Sequence, residues 1–372
     1  MKEIRRSHKF KLRPTQEQQQ LFVQFAGNSR FVYNELLSWS SQLYKRFGLS
    51  VVSRAKFGKR ITQLKAQHDW LCLSHVHTLQ SSADDLVSGY NRFFKNGGGY
   101  PKFKSKHNTK QSFRYKTGVE LDGSRVKLPK IGWVKVRNSR GDVGQIKTAT
   151  ISQSTSGWYV SLSCIEEIEQ HPKTESSVGI DLGLSHYATL STGEKIDNPR
   201  YYRRAERKLR RLQRALSRKK KGSANRAKAR AKLAKHHEKV ANMRKDFQHK
   251  LTTRLVVENQ AIGVESLFVA GMVRNRKLAK SISDAGWGET LRQLKYKSDW
   301  HGRTLVEADR FYPSSKLTNC CGVRLTDLRL SDREIVCPEC GQIWDRDHNA
   351  AINLRPVAVG HTDTLNDCGG ES

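Results

Sequence analysis

Residues 178–196, VGIDLGLSHYATLSTGEKI, decide how the rest of the chain is read. Val178 and Ile180 make an apolar strand that ends in Asp181, Gly183 lies just beyond, and the segment after the turn reads as a second strand. A carboxylate placed where a buried strand opens into a turn stands above the sheet, where active-site groups can converge. Taken alone the signal is weak, because Asp-x-Gly at a strand end occurs often.

Two later segments repeat the arrangement. The strand AIGV (261–264) leads into Glu265, which alone could equally be a surface glutamate, and DRDHNAAINL (345–354) sets Asp347 at the start of a helix. An acid there can simply cap the helix or complement its dipole. The three are more informative together, because carboxylates forced close repel and need cations to remain ionised. Two Mg²⁺ ions about 3.5–4 Å apart would supply those cations, activate a water and stabilise the leaving oxygen in phosphodiester hydrolysis.

Charge points to the same chemistry. The 372 residues carry 68 Lys and Arg against 35 Asp and Glu, a formal net charge of +33. Self-repulsion on that scale calls for a polyanionic partner, and nucleic acid is the default. An anionic membrane would need an apolar face or anchor, and no apolar run approaches the roughly 20 residues of a spanning helix. The start, MKEIRRSHKFKLRP, lacks the apolar core of a secretory signal, so a cytoplasmic location is expected. Cys72, Cys164 and Cys368 are scattered, whereas Cys320, Cys321, Cys337 and Cys340 cluster as metal ligands do in a reducing compartment.

Periodicity orders the remainder. Residues 4–13 alternate basic and apolar side chains as a strand ended by Pro14, and Thr15 can cap a helix in which Gly27 marks a stop. Helical patterns continue to about Asn96 and are broken by NGGGYPKFKSK. From about Ser112 to Ile168 short β-branched and aromatic alternations predict a β-barrel or sandwich, completed by the N-terminal strand with the helices inserted between. Residues 201–250 form a helical block with twenty Lys and Arg against three acids, divided near Gly222 and Ser223. A solvated face normally mixes signs, so this block, with Arg218, Lys219, Lys220 and Lys221, is expected to contact nucleic acid. Strands alternating with helices after Val178 predict an α/β domain.

These motifs resemble the TnpB family, encoded by small insertion sequences and related to type V CRISPR effectors. The resemblance is carried by FYPSSK (311–316), LRLSDR (328–333), CPECG (337–341) and DRDHNAAINL, supported by KLRPTQEQ, RFVYNELL (30–37), PKFKSK (101–106), GIDLGL (179–184) and RNRKLAKSISDAGWGE (274–289). It implies an α/β and β multidomain protein: an RNase H/RuvC-like α/β nuclease domain with an inserted zinc ribbon, plus an N-terminal β-barrel wedge domain carrying a helical insertion. The implied boundaries are 1–15 and 97–172 for the wedge and 16–96 for the helical recognition domain. The nuclease domain takes 173–312 and 345–372, and the ribbon 313–344.

The resemblance further implies a magnesium-dependent endonuclease that pairs a guide RNA with a double-stranded DNA target and reads a short flanking motif. Asp181, Glu265 and Asp347 match the family's catalytic positions. A repressor that binds with guide RNA but no longer cuts is the alternative, and loss of a catalytic acid would be its signature. A transposase that joins DNA ends finds no support, since Tyr201 and Tyr202 have no His-x-His partner.

One departure concerns zinc. The family places Cys-x-x-Cys after the SSK run, yet in SSKLTNCCG the first cysteine position falls on Thr318. Cys321, Cys337 and Cys340 are the expected ligands. Either Cys320 completes the set or the ribbon is weakened or metal-free. Asp284, in SISDAG, is expected either to support the active site or to cap a helix.

Overall fold

In KFKLR the basic residues Lys9, Lys11 and Arg13 face solvent while Phe10 and Leu12 are buried, the two-residue alternation of a strand with one face on a core. The structure is a computed structural model that describes residues 1–106, 111–310, 312–329 and 332–355. Cys368 and the rest of 356–372, with Phe311, Leu330 and Ser331 of the quoted motifs, lie outside the described residues. The chain divides into two compact units, one of residues 3–167 and one built mainly from residue 168 onward.

The first unit comprises β1 (Lys2–Arg13), α1 (Gln16–Phe47), α2 (Arg54–Gln67), α3 (Val76–Asn96), β2 (Ser112–Tyr115), β3 (Glu120–Asp122), β4 (Arg125–Leu128), β5 (Gly132–Arg137), β6 (Gln145–Ser154) and β7 (Gly157–Ile168). Its strands form one sheet in the order β2-β6-β7-β1-β5-β4-β3, with the N-terminal strand at the centre. The inward side chains gather into a single core with Phe22, Phe25 and Ala26 of α1. A second core, from Val32, Leu36 and Leu37 of α1 with Phe57, Ile61, Leu79 and Leu86, holds the three helices together.

Gly27 does not stop α1, contrary to the expectation from sequence. The helix starts at Thr15, whose side chain and that of Gln18 cap each other's backbone N–H. It then runs through Gly27 because its first turns pack on the sheet and its later turns on the helical core. That burial outweighs the roughly 1 kcal/mol that glycine costs inside a helix. The helix ends at Gly48, left-handed at φ 63°, whose N–H donates to the Tyr44 carbonyl.

The second unit opens with β8 (Ser177–Asp181), β9 (His186–Leu190), β10 (Lys195–Asp197), α4 (Tyr201–Ser217) and α5 (Ala224–Glu258). It continues with β11 (Ala261–Glu265), α6 (Val269–Met272), α7 (Ala279–Ala285), α8 (Trp287–His301), β12 (Thr304–Ala308), β13 (Glu334–Val336), β14 (Ile343–Asp345) and a last helix, α9, at 346–355. The sheet order is β10-β9-β8-β11-β12, mixed in sense: β8, β11 and β12 run parallel, β9 runs antiparallel to β8, and β10 antiparallel to β9. The core joins Val178, Ile180, Ile262 and Val264 of the sheet to Leu251 and Leu255 of α5 and to Trp287 and Leu294 of α8. The expected division of the basic block is present, with Gly222 at φ 84° and Ser223 accepting from the Arg226 N–H as the cap of α5.

Candidate active site and cysteine cluster

Parallel pairing sets Ile180 beside Val264, so Asp181 and Glu265 are the next residues of adjacent strands and end them side by side. Neighbouring strands lie roughly 4.8 Å apart, and in-register residues of parallel strands face the same side. Both carboxylates therefore stand at one edge of the sheet, on one face.

The third acid arrives on α9. A Cβ built on Gly179 would stand 1.9 Å from the Ala351 carbonyl oxygen and 2.7 Å from the Arg355 amide, so the bare glycine lets this helix lie against β8. Arg355 Nε donates to Ser177 Oγ at 2.9 Å. Residue 355 thus meets 177 and residue 351 meets 179. One helical turn further towards the start of α9 brings Asp347 level with Asp181.

Capping does not explain Asp347. Asp345 does that work: its Oδ1 accepts from the His348 N–H at 2.9 Å, and its Oδ2 pairs with Lys195 Nζ at 2.6 Å. Asp347, one position inside the helix, has Arg333 Nη1 4.0 Å away.

The electrostatics are those of a crowded acidic cluster. Burial, then the charges of Glu265 and Asp347, push the Asp181 carboxyl up to about 7, with Arg346 pulling the other way. Burial also raises Glu265, again against Arg346. Among the described residues, the potential metal-ligand atoms found gathered within 4.8 Å of one another are those of the cysteine set. Carboxylate oxygens suit a hard cation such as Mg²⁺, and a buried acid held up by two others is a site that gains from one.

Cys320, Cys321, Cys337 and Cys340 bring their sulfurs within that 4.8 Å, an arrangement that could hold a tetrahedral metal ion. Two matching turns build it. Gly341 N–H donates to the Cys337 carbonyl and Cys337 N–H to that of Gln342; likewise Gly322 N–H donates to the Thr318 carbonyl and Thr318 N–H to that of Val323, all at 2.9 Å. Thr318 therefore occupies the first-cysteine position of its turn, fully buried, with Oγ1 accepting from the Val323 N–H at 3.0 Å and lying 3.8 Å from Cys337 Sγ. Cys320 supplies the sulfur instead, 3.4 Å from Cys340 Sγ. Backbone N–H groups of Cys340 and Glu339 draw the Cys337 thiol down to about 6.

Arg218, Lys219, Lys220 and Lys221 are all exposed at the tip between α4 and α5, where Arg226 Nη1 closes the turn onto the Leu216 and Lys219 carbonyls. A cleft along α4 is lined by Arg203, Arg207, Arg210, Arg211, Arg214 and Arg218 among others. Asp284 turns out to cap a helix other than its own: its carboxylate accepts from the N–H groups of Tyr202, at 2.9 and 3.1 Å, and Arg203, at 3.3 Å, at the start of α4. Sequence reasoning missed Gly179, Asp345 and Arg346. An isolated glycine two residues before Asp181, on the same strand face, was the available signal for the first.

Comparison with known proteins gives three family matches. Residues 142–276 match a family described as "Probable transposase", residues 287–354 a "Cas12f1-like, TNB domain", and residues 1–48 a "Helix-turn-helix domain", although these last form β1 and the single helix α1. A protein of Streptomyces pristinaespiralis named as an RNA-guided DNA endonuclease is 39% identical over 362 residues, 95% of this chain and 89% of that one. Another so named, InsQ of Escherichia coli (strain K12), is 35% identical over 374 residues, 95% and 92% of the two chains. Among solved structures, the Cas12f1 protein of a complex with sgRNA and target DNA shares the fold, with a TM-score of 0.58 at 13% identity over 92% of this chain and 83% of that one.

Proposed function

The chain belongs to the TnpB family, and from that premise we propose that it is an RNA-guided DNA endonuclease whose RuvC-like centre is Asp181, Glu265 and Asp347. The observation that carries this reading is the convergence on Asp181: its strand neighbour Glu265 and the helix-borne Asp347 both press its carboxyl upward.

Two Mg²⁺ ions, when bound, would supply the activated water and the charge that stabilises the leaving oxygen. The chain's residues do the rest. Asp181 and Glu265 hold their oxygens at one strand edge over an apolar core, and Asp347 closes the set from above, fixed by the Gly179 contact. Arg346, whose charge reaches both Asp181 and Glu265, limits the repulsion among them. Cations on α4 and at the α4–α5 tip neutralise the phosphates of guide and target, while base pairing with the guide supplies sequence specificity.

In this reading residues 1–15 and 97–172 are the wedge domain, 16–96 the recognition helices, and 173–312 with 345–372 the nuclease domain. Residues 313–344 are a ribbon in which Cys320, Cys321, Cys337 and Cys340 bind Zn²⁺ as a structural ion. Its working place is the cytoplasm; among the described residues no helix is long and apolar enough to cross a membrane.

The test is cleavage. The full chain, purified with its own RNA, is given a plasmid bearing the matching target, with and without Mg²⁺. Magnesium-dependent cutting that Asp181→Ala abolishes supports the reading. Target binding without cutting would instead make the protein a guided repressor.

A further inference from the structure

The last turn of α3 and the segment after it set aromatic rings in solvent within a run of cations. Between Asn91 and Lys106 the chain carries Arg92, Lys95, Lys102, Lys104 and Lys106 and no acid. Phe94 is 66% exposed, Phe103 63% and Tyr100 46%.

This surface is built. Gly97, left-handed at φ 62°, and Gly98 both donate their N–H to the Arg92 carbonyl, and a Cβ on Gly98 would stand 3.2 Å from that oxygen. The chain folds back over α3, with Pro101 3.5 Å from where a Gly89 Cβ would be. Tyr100 then meets Tyr90 and Phe93 edge-on, with ring centres 5.6 and 5.3 Å away. Its hydroxyl is within hydrogen-bonding distance of Ser41 Oγ at 2.8 Å and Tyr90 Oη at 3.1 Å. Phe94 lies parallel to Tyr90, 14° from coplanar.

Exposed aromatic faces set among cations match the chemistry of unpaired nucleotides, whose bases stack and whose phosphates need neutralising. A duplex hides its base faces, and a protein partner would have to bring acids to meet the exposed Arg92, Lys95, Lys102 and Lys106, Lys104 already standing 3.9 Å from Asp85. We propose that Phe94, Tyr100 and Phe103, with Arg92, Lys95 and Lys102, form a platform for unpaired bases of RNA. A surface assembled before any partner arrives suits the strand carried throughout the cycle. For that choice of strand the inference rests on the guided reading above.

Binding of labelled oligouridine by the full chain, in EDTA so that no cleavage is read, tests this. Replacing both Phe94 and Phe103 with Ala should weaken oligouridine binding on the order of ten-fold or more, leave the affinity for duplex RNA unchanged and leave the melting temperature in place. Phe94→Tyr with Phe103→Tyr should restore it. Unchanged oligouridine binding overturns the proposal and leaves the rings as a protein-docking face; an equal loss on duplex overturns it as mere electrostatics. Tighter binding of oligothymidine than of oligouridine overturns the assignment to RNA. Failure of guided cleavage in the earlier test would not alter these results.

Discussion

The Ala351 carbonyl sits over Gly179 so closely that a methyl group there would stand 1.9 Å from its oxygen. This close approach, more than any side-chain bond, fixes how far α9 lies from β8, and with it the distance of Asp347 from Asp181.

Gly179→Ala is therefore expected to force α9 off the sheet. Overpacking of this kind costs about 1–3 kcal/mol, so the melting temperature should fall by several degrees. Cleavage should fall far more than stability, because Asp347 is carried away from its partners. Thermal melts and cleavage rates on the same preparation check it; full activity would show that the glycine does not position the acid.

Stability should depend on pH through Asp181. Its folded-state pKa of about 7 lies above the ordinary 3.8, so the fold binds this proton more tightly than the unfolded chain does. Without metal, the contribution of Asp181 to stability is greatest below the unfolded value, falls as pH rises from about 4 to about 7, and stays low beyond. The gap between the two values corresponds to about 4 kcal/mol. Denaturant titrations across that window should show the fall in EDTA, and Asp181→Asn should flatten it. An equal slope in the variant would assign the effect elsewhere.

Metal content separates the roles of Cys320 and Thr318. Cys320→Ser should lose bound zinc, and adding Thr318→Cys should restore it, because residue 318 already holds the backbone position of a first ligand. Zinc measured per chain after purification decides; retention by Cys320→Ser would remove Cys320 from the ligand set.

Replacing Arg218, Lys219, Lys220 and Lys221 with Gln should flatten the dependence of nucleic-acid affinity on salt. For every phosphate that is no longer neutralised, the logarithmic slope falls by about 0.7–0.9. Affinity measured across a salt series checks this, and an unchanged slope would make the tip an ordinary solvated turn.

Much of this architecture was legible because burial leaves a period in the sequence. KFKLR alternates by two, and the apolar runs of β8 and β11 end at their acids, so both strands, and the place of each acid at its strand's end, were read correctly. Gly27 misled because local propensity carries no information about the two cores that α1 joins. The short strand β10, three residues with polar ends, leaves no period to detect. Asp345 was overlooked as a cap because histidine, not Glu or Gln, stands three residues later. The entry of Cys320 into the cluster depends on a turn that swings an extra sulfur inward while Thr318 keeps the ligand position, and spacing alone does not encode that.

The central claim is that Asp181, Glu265 and Asp347 share divalent ions at the DNA. Anomalous scattering from Mn²⁺ in crystals of the protein with its RNA and matched DNA tests it most directly. The account predicts two peaks about 3.5–4 Å apart, with Asp181 in contact with both. Peaks that leave any of the three carboxylates without a metal contact would contradict it.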